Sequence, residues 1–215
     1  MMSKTAAEQI MELCMLKVGC GYAWGAQGEI LTREVLDRLV RTYGRERYYF
    51  NGYSAENWLG KQVFDCSGLI VWAANTLGIL QGDYTAEGLY YLCDHVTDPI
   101  PGDWCFNFYL THVGIYIGNN QYLHAMGTAY GVVITNQYTF VRFGRYKGGG
   151  SLTTDWNEKN KEFVKYVQGI VGTEVDGMAG PKTREALDKY IKQQAGANEI
   201  KTAWANFLKT IGKEF

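Results

Sequence analysis

Cys66 stands in Asp65-Cys66-Ser67-Gly68, directly before the apolar run Leu69-Ile70-Val71-Trp72-Ala73-Ala74. That places a thiol at a helix start, where unpaired N–H groups and the positive end of the macrodipole favour thiolate over thiol. Two of the three histidines follow downstream, in Thr111-His112-Val113-Gly114-Ile115-Tyr116 and in Leu123-His124-Ala125. A cysteine supplied with imidazoles from a later hairpin is the layout of a thiol nucleophile acting on an acyl group. In this reading His112 takes the Cys66 proton and His124 holds the other ring nitrogen of His112. The Cys66 backbone N–H is the natural donor to an oxyanion.

The hairpin must bring the two imidazoles to one face, and its turn decides whether it does. A two-residue turn at Asn119-Asn120 pairs Gly118 with Gln121 and puts the histidines on opposite faces. A three-residue loop, Gly118-Asn119-Asn120, pairs Ile117 with Gln121 and His124 with Gly114. Both rings then share a face, diagonal to each other, with no Gly114 side chain between them. The catalytic reading requires the odd loop.

Each residue alone has a plainer reading. A lone cysteine in an apolar helix is usually core, and a lone strand histidine is usually surface or a satisfied core group. The ordered set argues for chemistry instead. A Cys/His/His zinc site is the other use of these residues, but no further metal-ligand spacing accompanies them, so neither a metal nor a cofactor is expected. The five cysteines (14, 20, 66, 93 and 105) read as four small buried hydrophobes and one reactive thiol, without a disulfide framework. His95 reads as a residue of a solvated loop.

Around these groups the elements follow from periodicity. Residues 5–18 and Thr32 to Tyr43 carry apolar residues at helical spacing, and a third helix runs from about Ser67 to Leu77, ending at Gly78. The stretch 44–63 is polar and aromatic and reads as irregular. After Pro99 and Pro101 the period changes to short strands over 103–108, 112–117, 121–126, 132–136 and 140–146. Helices first and an antiparallel meander second is an α+β pattern. Gly148-Gly149-Gly150-Ser151 marks a joint, dividing the chain into 1–147, a linker over 148–154, and a helical segment over 155–215.

At 215 residues the chain holds one medium domain and a small one. With 47% hydrophobic and 20% charged residues it is globular, and a net charge of −1 argues against nucleic acid as a partner. The N-terminal apolar stretch is broken by Glu8 and Glu12, which reads as an amphipathic helix and not as a signal peptide. No run is long enough to insert in a membrane. The expectation is a chain made in the cytoplasm.

Asp65-Cys66-Ser67-Gly68, Pro101-Gly102-Asp103, His112 through Asn119 and His124-Ala125 resemble the motifs of the NlpC/P60 cell-wall peptidases, which are papain-like cysteine hydrolases. Gly21-Tyr22-Ala23-Trp24-Gly25 is similar to that family's upstream aromatic-glycine motif. The resemblance spans about residues 5–146. It implies Cys66 as nucleophile, His112 as base and His124 as the orienting residue. It also implies that Tyr22 lies by the oxyanion or amine pocket, and that Asp65 and Ser67 hold a substrate amine. Members typically cut a γ-D-glutamyl bond to a diamino acid in peptidoglycan stem peptides. Two departures stand out. Residues of about 26–62 form an insertion, whose aromatics (Tyr43, Tyr48, Tyr49, Phe50, Tyr53 and Trp58) are expected to wall the cleft, and Ala26 replaces a second glycine.

Asp176-Gly177-Met178-Ala179-Gly180-Pro181-Lys182-Thr183 and the residues after it resemble the loop-helix core of a small peptidoglycan-binding domain, over about 155–195. This implies Asp176, Gly177, Gly180 and Thr183 as wall-binding candidates and bacterial peptidoglycan as the partner. Joining a weak wall-binding module to a hydrolase raises local substrate concentration. The combined expectation is a peptidoglycan hydrolase of endolysin type acting at the cell wall after holin-dependent release. The alternatives are an N-acetylmuramoyl-L-alanine amidase, an antibacterial amidase toxin with an immunity protein, and a non-enzymatic wall-binding or virion protein. The sequence leaves the oligomeric state open.

Overall fold

The computed structural model describes residues 5–136 and 139–148, with isolated positions at 165, 168–169, 172–175, 185–186 and 189. The chain divides into two units, Ala6–Gly148 and a second made of Met1–Thr5 with Gly149–Phe215. In the second, residues 165, 168–169, 185–186 and 189 are helical. Asp176, Gly177, Gly180 and Thr183 lie outside the described residues, as does most of the expected helical segment.

In the first unit, helix α1 (Ala6–Met15) buries Ile10, Met11, Leu13 and Cys14. After it come strand β1 (Gly21–Tyr22), strand β2 (Gln27–Ile30) and helix α2 (Arg33–Tyr43). Thr32 caps α2 through its side-chain oxygen, which accepts from Val35 N at 3.3 Å. The stretch expected to be irregular is ordered. Two single-turn helices (Arg45–Arg47 and Ala55–Trp58) flank a hairpin of β3 (Tyr49–Phe50) and β4 (Tyr53–Ser54), and β5 (Gln62–Phe64) follows. β5 pairs parallel with β1 and antiparallel with β2. Leu31, Leu36, Leu39, Tyr48, Ala55 and Val63 make a core cluster of their own there, so burial holds together pieces too short to show a period. Trp58 Nε1 donates to Thr128 O at 2.7 Å and ties this segment to the end of β9.

Helix α3 (Cys66–Thr76) follows, apolar nearly all round, as a helix buried between layers must be. It packs on α1, where Cys14 Sγ donates to Leu69 O at 3.5 Å. Helix α4 (Ala86–Tyr91) and strand β6 (Cys93–Val96) were not legible beforehand. The helix is under two turns long, and Cys93-Asp94-His95-Val96 carries two exposed polar residues at a sheet edge. His95 therefore sits on a strand and not on a loop, stacked on Tyr90 with ring centroids 4.1 Å apart.

Strands β7 (Trp104–Asn107), β8 (Val113–Gly118), β9 (Gln121–Gly127), β10 (Gly131–Thr135) and β11 (Phe140–Tyr146) complete a six-stranded antiparallel sheet in the order β10-β9-β8-β7-β11-β6. The expected mixed α+β architecture is present in this unit, with α3 packed on β8 and β9. At the head of β7, Asp103 is 2% exposed and takes two bonds from Arg145 of β11, at 3.0 and 2.9 Å. All five cysteines are free. No described helix is long and apolar enough to cross a membrane.

Candidate active site

Asp65 builds the site's floor. Its Oδ1 accepts from Gly68 N at 2.7 Å and from Ser67 Oγ at 3.1 Å, while Oδ2 accepts from Gly25 N at 2.8 Å. One carboxylate thus caps α3 and ties it to the Gly25 turn, 40 residues earlier in the chain. Glycine is required at Gly68, where a Cβ would stand 2.2 Å from Ala26 O. Burial pushes the Asp65 carboxyl up from its ordinary range, against the pull of these donors.

Cys66, the first residue of α3, is 7% exposed. Its Sγ donates to Thr111 O at 4.0 Å, and the Val113 backbone N–H acts to favour its charged form, so the thiol sits against the backbone beside His112. Burial, with a smaller push from the Asp65 charge, raises the thiol to about 12. The sequence predicts a thiolate here. The N–H groups of Val113, Ser67 and Cys66 itself act in that direction, but desolvation outweighs them.

The histidines meet through a route that neither turn alternative foresaw. Asn119 and Asn120 both adopt positive φ (52° and 57°) as a two-residue turn, and Gly118 pairs with Gln121. Between Gly118 and Tyr116 the ladder then slips by one residue, so that Tyr116 pairs with Tyr122 and Ile115 with Leu123. This bulge does what an odd loop would have done. It restores the register that places His124 across from Gly114, on the face of His112.

His112 Nε2 lies 2.8 Å from His124 Nδ1, and His124 Nε2 lies 3.1 Å from Thr135 Oγ1 of β10. Phe140 stacks on the His112 ring (centroids 5.6 Å apart, planes at 15°) and meets His124 edge-on. Burial lowers His112 to about 4 and, with its neighbour's charge adding, His124 to about 3. Both rings are therefore neutral across the physiological range, each with one N–H to place. Thr135 and Phe140 had no mark in the sequence, because a strand threonine and a strand phenylalanine are ordinary.

A cavity of about 330 Å³ opens over Cys66. Trp24, Tyr43, Leu110 and Thr111 form part of its wall, and Asp65 and Ser67 line it as well. The segment before α4 adds Asp83, Tyr84 and Thr85, and the first turn of α4 adds Glu87, so the lining carries three carboxylates and no cationic side chain. Of the six insertion aromatics expected to wall the cleft, Tyr43 alone does so. Tyr48 is buried with its hydroxyl on Trp24 O, and Trp58 packs behind Gly21. Tyr22 is buried on β1 and is absent from the cavity lining. Leu110 holds φ at 57°, strained for a leucine, in a loop fastened by Asn107, whose side chain bonds Thr111 and His112. Among the described residues, no group of three or more His, Cys, Asp or Glu is arranged to hold a metal.

The order of motifs along this stretch matches a known family profile, described as the NlpC/P60 family. The match covers residues 44–146, just under half of the chain. The NlpC/P60 match takes in Cys66, both histidines, Thr135 and Phe140. It begins after α2, leaving Tyr22, Trp24 and Tyr43 outside. Among solved structures, the chain is similar to NlpC2 from Trichomonas vaginalis (26% identity, 68% of this chain and 49% of that chain, TM-score 0.46). It is similar also to the peptidoglycan hydrolase RipB from Mycobacterium tuberculosis (23% identity, 65% and 64%, TM-score 0.45). A third is the P60 domain of an antigen from M. avium subspecies paratuberculosis (22% identity, 65% and 93%, TM-score 0.45). The chain thus spans about half the length of NlpC2.

Proposed function

We propose that this protein is a peptidoglycan hydrolase that cleaves an amide bond of the stem peptide, with the γ-D-glutamyl bond to the diamino acid as its target. The observation that carries this reading is Cys66 Sγ on the carbonyl of Thr111, the residue before His112, with His112 Nε2 2.8 Å from His124 Nδ1, within an NlpC/P60 match.

His112 engages His124 through Nε2, which leaves Nδ1 to take the thiol proton. Because burial disfavours either charge alone, that proton moves as Cys66 Sγ bonds to the carbonyl carbon. The Cys66 N–H and the cavity face receive the oxyanion. The tetrahedral adduct collapses, the C–N bond breaks, and the His112 imidazolium gives its proton to the leaving amine. Water then attacks the thioester with His112 again as base, releasing the acid and the thiol. The carboxylates of Asp83 and Glu87 favour a substrate carrying a free amine. Asp65 and Ser67 contribute to the same wall, and the role extends to wall lysis of the endolysin type, with the residues after 148 as the wall-binding part.

Digestion of purified peptidoglycan by the wild type and by Cys66→Ala, with new termini identified by mass spectrometry, tests this. The expected result is cysteine-dependent release of a diamino-acid amine next to D-glutamate. Release of L-alanine amines would replace the endopeptidase with an amidase. No cleavage by reduced protein on several wall chemotypes would overturn the hydrolase reading.

A further inference from the structure

We infer that Thr135 is a positioning residue for the reaction: it accepts the His124 Nε2–H and thereby supports the tautomer in which His112 Nδ1 acts as base. The inference rests on the thiol–imidazole reading of the site, and reaches past Cys66, His112 and His124 to a residue on the next strand.

The register places it. On β10, Val133 faces His124 directly and Thr135 faces Tyr122, so Thr135 stands two residues along on the same sheet face, diagonal to His124. The Oγ1 lies 3.1 Å from His124 Nε2, and His124 is fully buried. A neutral imidazole has one N–H and one acceptor nitrogen. In the competent arrangement His112 Nδ1 must accept from the thiol, so the His112 proton sits on Nε2 and points at His124 Nδ1. His124 Nδ1 then has to accept, and its own proton is forced onto Nε2, where Thr135 Oγ1 receives it. A hydroxyl oxygen has two lone pairs for that bond, and its own proton can turn away.

Without this acceptor the bond from Nε2–H to Oγ1 is lost, and that cost shifts the balance toward the other tautomer. His124 would then point its Nδ1–H at His112 Nε2, which must accept. The His112 proton would move to Nδ1 and face the thiol, where it blocks proton removal. Phe140, stacked on His112 and edge-on to His124, fixes both ring planes, so rotation of the rings offers no escape from this choice.

The test compares Thr135→Val, which keeps the shape and removes the acceptor, with Thr135→Ser, which keeps it. Isotope-labelled histidine NMR on the full chain is expected to show His124 with its proton on Nε2 in the wild type and in Thr135→Ser, and a mixture of tautomers in Thr135→Val. Iodoacetamide labelling of Cys66 at neutral pH, and kcat on peptidoglycan, should each fall about tenfold in Thr135→Val, the scale of one hydrogen bond, with KM nearly unchanged. Thr135→Ser should restore both to within about threefold of wild type. Equal rates in the two variants, or a wild-type His124 proton on Nδ1, would overturn the inference. The tautomer and labelling readings need no substrate. If they follow the expected pattern while peptidoglycan stays intact, Thr135 keeps its role and the choice of substrate falls.

Discussion

A Cβ placed on Gly114 would stand 3.0 Å from the Cβ of His124, 3.0 Å from Leu123 O and 2.9 Å from Phe140 Cζ. The absence of a side chain at this one position lets His124 cross the strand boundary toward His112. Gly114→Ala must push either the backbone of β9 or the ring stack of Phe140 aside. Overpacking of this kind costs about 1–3 kcal/mol. On the proposed mechanism the larger loss is in turnover, since a displaced His124 no longer aligns His112 as base. Urea unfolding and kcat measured side by side check this; unchanged kcat would show that the histidine pair tolerates the shift.

How far the sequence reached is clearest at this hairpin. Motif order singles out Cys66, His112 and His124, and the structure places the two imidazoles 2.8 Å apart and the thiol against the carbonyl of Thr111. The parity of the hairpin was not legible. Asn119-Asn120 announces a two-residue turn, correctly, but the one-residue slip beyond it depends on how β8 packs, and no residue type marks a bulge. Strands β1, β3, β4 and β5 escaped for a related reason: at two or three residues each they have no period, and they exist through the burial of Leu31, Tyr48 and Val63. The helix terminus that favours thiolate is visible in the sequence, whereas the burial that pushes the thiol up is a property of the packed site.

Acid should weaken the fold through the histidine pair. Burial holds His112 near 4 and His124 near 3, both below the ordinary 6.5 of an unfolded chain. Between about pH 6.5 and pH 4 the unfolded state then binds more protons than the folded state, so stability rises with pH across that window. The histidine contribution is fully present above about pH 6.5 and is lost as pH falls toward 4. Urea midpoints at pH 7 and pH 5, for the wild type and for His112→Gln/His124→Gln, isolate the effect from the carboxylates. The wild type should lose more stability than the double variant over that interval. Parallel losses would assign the acid sensitivity elsewhere.

Among the aromatics of residues 43–58, Tyr43 lines the cleft. It is 43% exposed, it lines the cavity beside Trp24, and its ring lies against Gly25, whose φ of 76° suits glycine. Tyr43→Ala removes wall and leaves the insertion's core cluster intact, so stability should change by less than about 1 kcal/mol. Substrate selection should change instead. The ratio of kcat/KM for a free stem peptide to that for a glycan-attached peptide is expected to move severalfold, through KM. A ratio equal to wild type would remove Tyr43 from the specificity wall.

Asp65→Asn separates support from electrostatics at Cys66. The carboxylate accepts Gly68 N and Ser67 Oγ on one oxygen and Gly25 N on the other. An amide can keep only one of these oxygens as an acceptor; its NH₂ would face the Gly25 N–H or the Gly68 N–H, donor against donor. Stability should fall by about 1–3 kcal/mol, the cost of an unsatisfied buried donor. The Asp65 charge also helps raise the Cys66 thiol, so its removal should make that thiol more acidic. Asp65→Asn should therefore unfold at lower urea and yet label faster with iodoacetamide at a fixed neutral pH, under conditions where both proteins are folded. Slower labelling would mean that the displacement of α3 at Gly25 outweighs the lost charge, and that Asp65 serves Cys66 chiefly by holding it in place.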